Sequence, residues 1–208
     1  MSNLMAIKDF DFEKKRKNFH LSAIIFPLLY LFIPRTAITL LLFIITAITL
    51  YLDVLRHNNA KISEFITRFF SKVLRLEENN GSFALSGVSF MMLGFFLTAL
   101  LFPKNLVICS WLILIISDCL AALVGVKIGN SLGNGKSIAG SITFLASAIF
   151  ISILVYFYLG YNTSFIIIII SCIGATVAEF YSKDLRINDN LSIPLSYCLS
   201  TAILSYIL

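Results

Sequence analysis

The 208 residues are 59% apolar and only 13% charged, with a mean hydropathy of +0.93; this excludes an ordinary soluble domain and gives an integral membrane protein. The formal charge of +5 would suit a nucleic-acid partner if the cations formed a stripe on a soluble face. They flank apolar runs instead, so no nucleic acid is expected.

In chain order, residues 1–19 carry Lys8, Lys14, Lys15, Arg16 and Lys17 among Asp9, Asp11 and Glu13. This pattern predicts a cytoplasmic amphipathic segment lying against lipid headgroups. The apolar stretch that follows superficially resembles a signal peptide, but it lacks a small-residue cleavage site and another apolar run begins at once, so it is expected to remain in the protein. The first span is roughly Phe19–Ile33, shorter than the ~20 residues a bilayer core requires. It therefore extends into the basic segment with snorkelling lysines or crosses where the membrane is thin. Pro34 separates it from a second span, about Ala37–Leu55. In residues 56–80, Ile62, Phe65, Ile66, Phe69, Phe70 and Val73 recur at three- and four-residue spacing, which predicts an interfacial amphipathic helix.

Further spans are read at about Phe83–Phe102, Leu106–Val126, Gly140–Leu159, Ser164–Phe180 and Leu191–Leu208, with a loop at 127–139 between the fourth and fifth. The class is all-α: about seven spans in a single integral membrane domain. With the N-terminus inside, 14 of the 16 Lys and Arg residues fall on the inner side, leaving only Arg35 and Lys104 outside. All 11 acidic residues also lie at or near inner ends, so the positive-inside rule places the N-terminus, and the chemistry, on the cytoplasmic face. Cys109, Cys119, Cys172 and Cys198 sit in apolar runs with no Cys-x-x-Cys spacing and no histidine nearby, and read as small hydrophobes.

Asp118 interrupts the fourth apolar run. A carboxylate at the centre of a membrane helix costs roughly 2.5–3.5 kcal/mol on insertion scales, so such a residue is a functional candidate. Gly125, Gly129, Gly133 and Gly135 follow, together with Lys127 and Lys136. Uncovered backbone N–H groups and lysines can cradle phosphate, and Lys136-Ser137 precede a helix start that favours an anion. The segment GNSLGNGKS is one residue out of register with a P-loop and follows a span where a P-loop needs a strand, so that fold is not expected. Glu179 ends the sixth span and Asp189-Asn190 opens the seventh. With Asp118 they form an oxygen donor set suited to Mg²⁺, a hard ion that keeps sites for phosphate; the structural alternative is pairing with lysines or helix capping. Asp118 and Glu179 are each read about one turn inside the cytoplasmic end of a span. His20, Arg75 and Glu78 are further candidates beside spans one and three.

Four stretches resemble the family of CTP-dependent lipid kinases that includes dolichol kinase, phytol kinase and CTP-dependent diacylglycerol kinase. SDCLAALVGVKIG is similar to the family's Asp-x-x-Ala-x-x-x-Gly pattern and KSIAGS to its Lys-[ST]-x-x-Gly-[ST] pattern; AEFYSKDLRINDNLSIPL resembles its glutamate followed by Asp-Asn-Leu and proline, while EKKRKNFH and LRLEEN resemble weaker elements. Ser117 departs from the glycine common at its position. The resemblance implies transfer of the γ-phosphate of CTP to the hydroxyl of a long-chain lipid alcohol: a polyprenol such as dolichol, phytol or diacylglycerol. It implies that Asp118, Lys127, Lys136, Ser137, Gly140, Ser141, Glu179, Asp189 and Asn190 form the nucleotide and metal site; on the physical reading Asp118, Glu179 and Asp189 are catalytic, with Mg²⁺ on Asp118 and Glu179, and Gly129 joins the nucleotide contacts. A phosphatidate cytidylyltransferase is the alternative reading, although that enzyme's signature is absent. A transporter or scaffold is less favoured, because the carboxylates sit at one side instead of mid-membrane. The acceptor lipid and the oligomeric state are not legible.

Overall fold

The computed structural model describes residues 16–58, 64, 85–128, 135–160 and 163–207, and all regular structure among them is helical. Residues 16–22 form α1, followed by α2 (Ile25–Phe32), α3 (Arg35–Asn58), α4 (Gly87–Leu101) and α5 (Lys104–Leu112). A π turn, Ile113–Ser117, joins α5 to α6 (Asp118–Ile128); α7 (Ile138–Leu159), α8 (Phe165–Tyr181) and α9 (Asp189–Ile207) complete the bundle. Three stretches, Arg35–Asn58, Lys104–Ile128 and Ile138–Leu159, are long and apolar enough to cross a membrane, and Gly87–Leu101 and Phe165–Tyr181 are shorter apolar helices. The expected interfacial helix in 56–80 falls largely outside the described residues, as do residues 1–15.

The expected first span is broken. Pro27 has no N–H to give to Ala23, so the chain turns at Ala23–Ile24 through three-residue bonds, Ala23 N–H to His20 O (3.1 Å) and Ile24 N–H to Leu21 O (3.1 Å). Helix α2 then restarts with the proline in its first turn. The third expected span begins later than its hydropathy suggests, because Ser86 caps α4 by accepting from Ser89 N–H.

Long-range polar contacts show which helix ends meet. At one end, Arg35 donates to Ala99 O (2.9 Å) and Leu100 O (2.6 Å), Lys104 to Leu31 O (3.0 Å) and Asn105 to Leu159 O (2.9 Å). The two cations assigned to the outer turns thus satisfy the last carbonyls of α4 and α2, where the helix dipole favours positive charge. At the other end lie Asp53, Asp118, Lys136, Glu179 and Asp189. Between the ends, α5 is central: the fully buried Trp111 stacks on Phe95 (4.5 Å), lies against Tyr30 (5.4 Å) and donates to Thr98 Oγ1 at 2.8 Å. Outward-facing Leu40, Phe43, Ile44 and Ile48 on α3, and Phe165, Ile166, Ile170 and Ile173 on α8, form apolar faces suited to hydrocarbon.

Candidate active site

Asp118 is 2% exposed and opens α6 directly after the π turn. Its carboxylate forms an ion pair with Lys17, whose side chain is 3% exposed. His20 Nε2 stands 3.9 Å from Asp118 Oδ2 and 3.4 Å from Leu114 O. Lys17 and His20 are three residues apart and so share one face of α1; Cys119 Sγ reaches Lys17 O at 3.5 Å and fixes that face against α6. A lysine expected to face headgroups is therefore enclosed in the bundle, because a buried carboxylate needs a partner and α1 supplies the one at hand. Asp118 also lies deeper than one turn from its helix end. Helix α6 continues to Ile128, about 15 Å further at 1.5 Å per residue.

The second half of the cluster is built from α7, α8 and α9. Lys136 forms an ion pair with Glu179 Oε1 and stands 3.5 Å from Asp189 Oδ2; the two carboxylate side chains are 4% and 7% exposed. Burial draws the Lys136 ammonium down from the usual lysine range, but the charges of Asp189, Asp118 and Glu179 outweigh it and hold the group above that range. The same three charges tie this half to Asp118. Glu179 Oε2 is buried without a hydrogen-bond partner among the described residues. Asn190 N–H donates to Asn188 Oδ1 (3.0 Å) and to Asp189 Oδ1 (3.2 Å). Asn188 thus shares the capping duty, and Asp189 Oδ2 remains turned to Lys136.

The start of α7 is set by close packing on α6. Ser137 caps the helix by accepting from Gly140 N–H at 3.1 Å. A Cβ on Gly140 would stand 2.9 Å from Ala121 O, and one on Gly125 would stand 2.9 Å from Ser137 Oγ. These glycines bring the α6 and α7 backbones together and hold Lys136 at the cluster's edge. Ser141 Oγ is buried nearby without a hydrogen-bond partner among the described residues. Asn190 gives its side-chain N–H to Gly87 O (2.8 Å), so its amide nitrogen ties α9 to α4.

No family model matches the chain, and no solved structure matches it. It is 82% identical over 204 residues to the uncharacterized protein RP860 of Rickettsia prowazekii, covering 98% of this chain and 100% of that protein. The chain belongs to the RP860 family. It is also 32% identical over 101 residues to CTP-dependent diacylglycerol kinase 1 of Schizosaccharomyces pombe; that match covers 47% of this chain and 45% of the kinase.

The structure thus gathers Asp118, Glu179, Asp189, Lys136 and His20 into one cluster, with Ser137, Gly140 and Ser141 in the turn of α7 beside it. Lys127 lies apart, exposed on the last turn of α6, while Gly129, Arg75 and Glu78 fall outside the described residues. Lys17 is the member that sequence reasoning missed. The legible signal was its spacing from His20, which places both on one helical face. A second buried group was missed where the C-terminal end of α3 meets the start of α4: Asp53 accepts from Ser86 N–H (2.8 Å), Ser86 Oγ (3.0 Å) and Ser89 Oγ (2.6 Å), with Arg56 at 3.6 Å. These contacts anchor the cap of α4.

Among the described residues no three carboxylate, histidine or cysteine side chains stand together as a ready-made metal cage. The donor set nevertheless fits Mg²⁺, which binds through one or two carboxylates and completes its shell with water and phosphate oxygens. The unpartnered Glu179 Oε2 is a hard oxygen donor of that kind.

Proposed function

We propose that this chain is a membrane lipid kinase that transfers the γ-phosphate of CTP to the hydroxyl of a long-chain lipid alcohol at the cytoplasmic face of a multi-pass bundle. The observation that carries this reading is that two ion-pair groups, Lys17 with Asp118 and Lys136 with Glu179 and Asp189, bring carboxylates of α6, α8 and α9 within electrostatic reach of one another. Phosphoryl transfer asks little covalent chemistry of a protein; it needs charge neutralisation, in-line placement and a proton acceptor. The partial likeness to a CTP-dependent diacylglycerol kinase supports the same class.

Asp118 and Glu179 are the residues to hold Mg²⁺. When bound, the metal neutralises phosphate oxygens and orients the terminal phosphoryl group. Lys136 and Lys17 balance the carboxylates and offer ammonium donors to the phosphates. Asp189, with Oδ2 facing the cluster, is the group to take the proton of the acceptor hydroxyl as its oxygen bonds to the γ-phosphorus and the bond to the β-phosphate oxygen breaks, leaving CDP. The apolar faces of the bundle keep the lipid chain in hydrocarbon while its hydroxyl meets the cluster at the helix ends.

The test is transfer of label from γ-³²P-CTP into lipid by detergent-purified protein with Mg²⁺, with α-³²P-CTP as the parallel donor. Label from the γ position is expected, and the product's mobility names the acceptor among polyprenol, phytol and diacylglycerol. Asp118→Asn keeps the shape and removes the charge, so it should reduce turnover at least a hundredfold, about 2.7 kcal/mol of barrier, with the protein still folded. Label from the α position alone, with phosphatidate present, would make the protein a cytidylyltransferase and end the kinase reading.

A further inference from the structure

Lys183 lies in the turn between α8 and α9, a residue to which neither motif nor charge pattern gives a role. The turn is ordered by its own backbone: Leu185 N–H bonds Tyr181 O (2.9 Å), Arg186 N–H bonds Lys183 O (3.1 Å) and Ile187 N–H bonds Ser182 O (2.9 Å). Its root is fixed to the cluster, since the buried Ser182 gives its hydroxyl to Glu179 O at 2.9 Å. From there the Lys183 side chain, itself exposed, crosses to the other side of the site. A Cβ built on Gly135 would stand 2.7 Å from Lys183 Nζ and 3.9 Å from its Cε. Gly135 adopts φ +77°, which favours glycine, and adjoins Lys136 in sequence.

The Lys183 ammonium therefore lies over the backbone residue that precedes Lys136. Lys136 points inward to Glu179 and Asp189, and Lys183 lies over Gly135 at the solvent edge. Lys136 has carboxylate partners, whereas Lys183 presents its positive charge at the open edge of the same turn, where it attracts an anion. A ligand with one charged group could satisfy the inner lysine only; a chain of phosphates would satisfy both.

We propose that Lys183 binds the non-reacting phosphates of the nucleotide. The polyphosphate lies across Gly135, with its terminal phosphoryl group at Lys136 and the carboxylates and its leaving diphosphate against Lys183. Gly135 is bare so that backbone, lysine and phosphate can share that space. This deepens the nucleotide reading above and rests on it. A lipid phosphate at the membrane surface offers the same chemistry, and the experiment separates the two sources.

Full-length protein is placed in nanodiscs of neutral phosphatidylcholine, or with anionic phosphatidylglycerol added, and equilibrium binding of CTP, CDP and inorganic triphosphate is measured for wild type, Lys183→Gln and Lys183→Arg. Loss of one charge-assisted contact corresponds to about a tenfold weakening. That is expected for all three ligands in Lys183→Gln, in both kinds of nanodisc, with recovery to within about twofold in Lys183→Arg and no change in melting temperature, because the side chain is exposed. Gly135→Ala serves as a second variant: its methyl displaces the ammonium and should give a similar loss with the lysine still present. Undiminished binding in Lys183→Gln overturns the proposal while leaving the kinase reading intact. A loss seen only with anionic lipid also overturns it, by making Lys183 a headgroup contact. Wild type that binds no nucleotide overturns both.

Discussion

The pair formed by Lys17 and Asp118 makes a prediction that does not depend on catalysis. Both side chains are 3% exposed, so removing either partner leaves a charge stranded in the bundle. Breaking a buried ion pair in this way costs about 3–5 kcal/mol. For Lys17→Met the lower figure applies, about 3 kcal/mol, because Asp118 keeps Lys136 and His20 within electrostatic range. Asp118→Asn strands the ammonium and should cost about as much. The double variant strands neither charge, so its cost should fall short of the sum of the singles by about 2 kcal/mol or more. The chain's one tryptophan, Trp111, is fully buried and stacked, and its fluorescence during SDS titration of detergent-solubilised protein reports unfolding. Single costs that add to within about 0.5 kcal/mol would show that the two residues do not pair, and the placement of α1 over the site would fall with them.

Gly140→Ala pushes a methyl to 2.9 Å from Ala121 O; overpacking of this kind costs about 1–3 kcal/mol, read by the same titration, and should lower phosphate transfer by displacing Lys136. Lys136 is held above the usual lysine range by three carboxylates. A raised folded-state value gives stability that is complete below lysine's ordinary range and disappears only as pH rises through the raised value. The stability difference between wild type and Lys136→Met should therefore not fall between about pH 6 and 9; a steady decline across that window would contradict the assignment. Removing Mg²⁺ with a chelator should abolish label transfer from γ-³²P-CTP while leaving tryptophan fluorescence unchanged, since the buried carboxylates keep their lysine partners.

Asp118 was legible as a candidate because a carboxylate in an apolar run has few innocent explanations, and Glu179 and Asp189 because they bracket one turn between two apolar runs. The helices followed from hydropathy and the prolines: Pro103 ends one span, and Ser137 marks a helix start. Lys17 was hidden for the opposite reason. In a run of four basic residues no local signal marks the lysine that turns inward; only packing 101 residues away does so. Asp53 was similarly counted as another inner-end charge, since its partners Ser86 and Ser89 lie beyond an amphipathic insertion. The break at Ala23–Ile24 could be foreseen from Pro27 in principle, but hydropathy runs smoothly across it. Arg35 and Lys104 show a limit of reading charge as topology alone, because both are also ligands for helix carbonyls.

The π turn at Ile113–Ser117 acts as a phase shifter between two jobs performed by one continuous helix. Upstream, α5 must aim Trp111 into the core; downstream, α6 must aim Asp118 at α1. Each residue advances an α-helix by about 100°, so the wider turn sets the second aim separately from the first. Inserting a single alanine between Ser117 and Asp118 should leave Trp111 in place and rotate Asp118 by about 100° away from Lys17. The loss of site geometry with core fluorescence retained would separate, within one helix, the part that builds the protein from the part that does its chemistry.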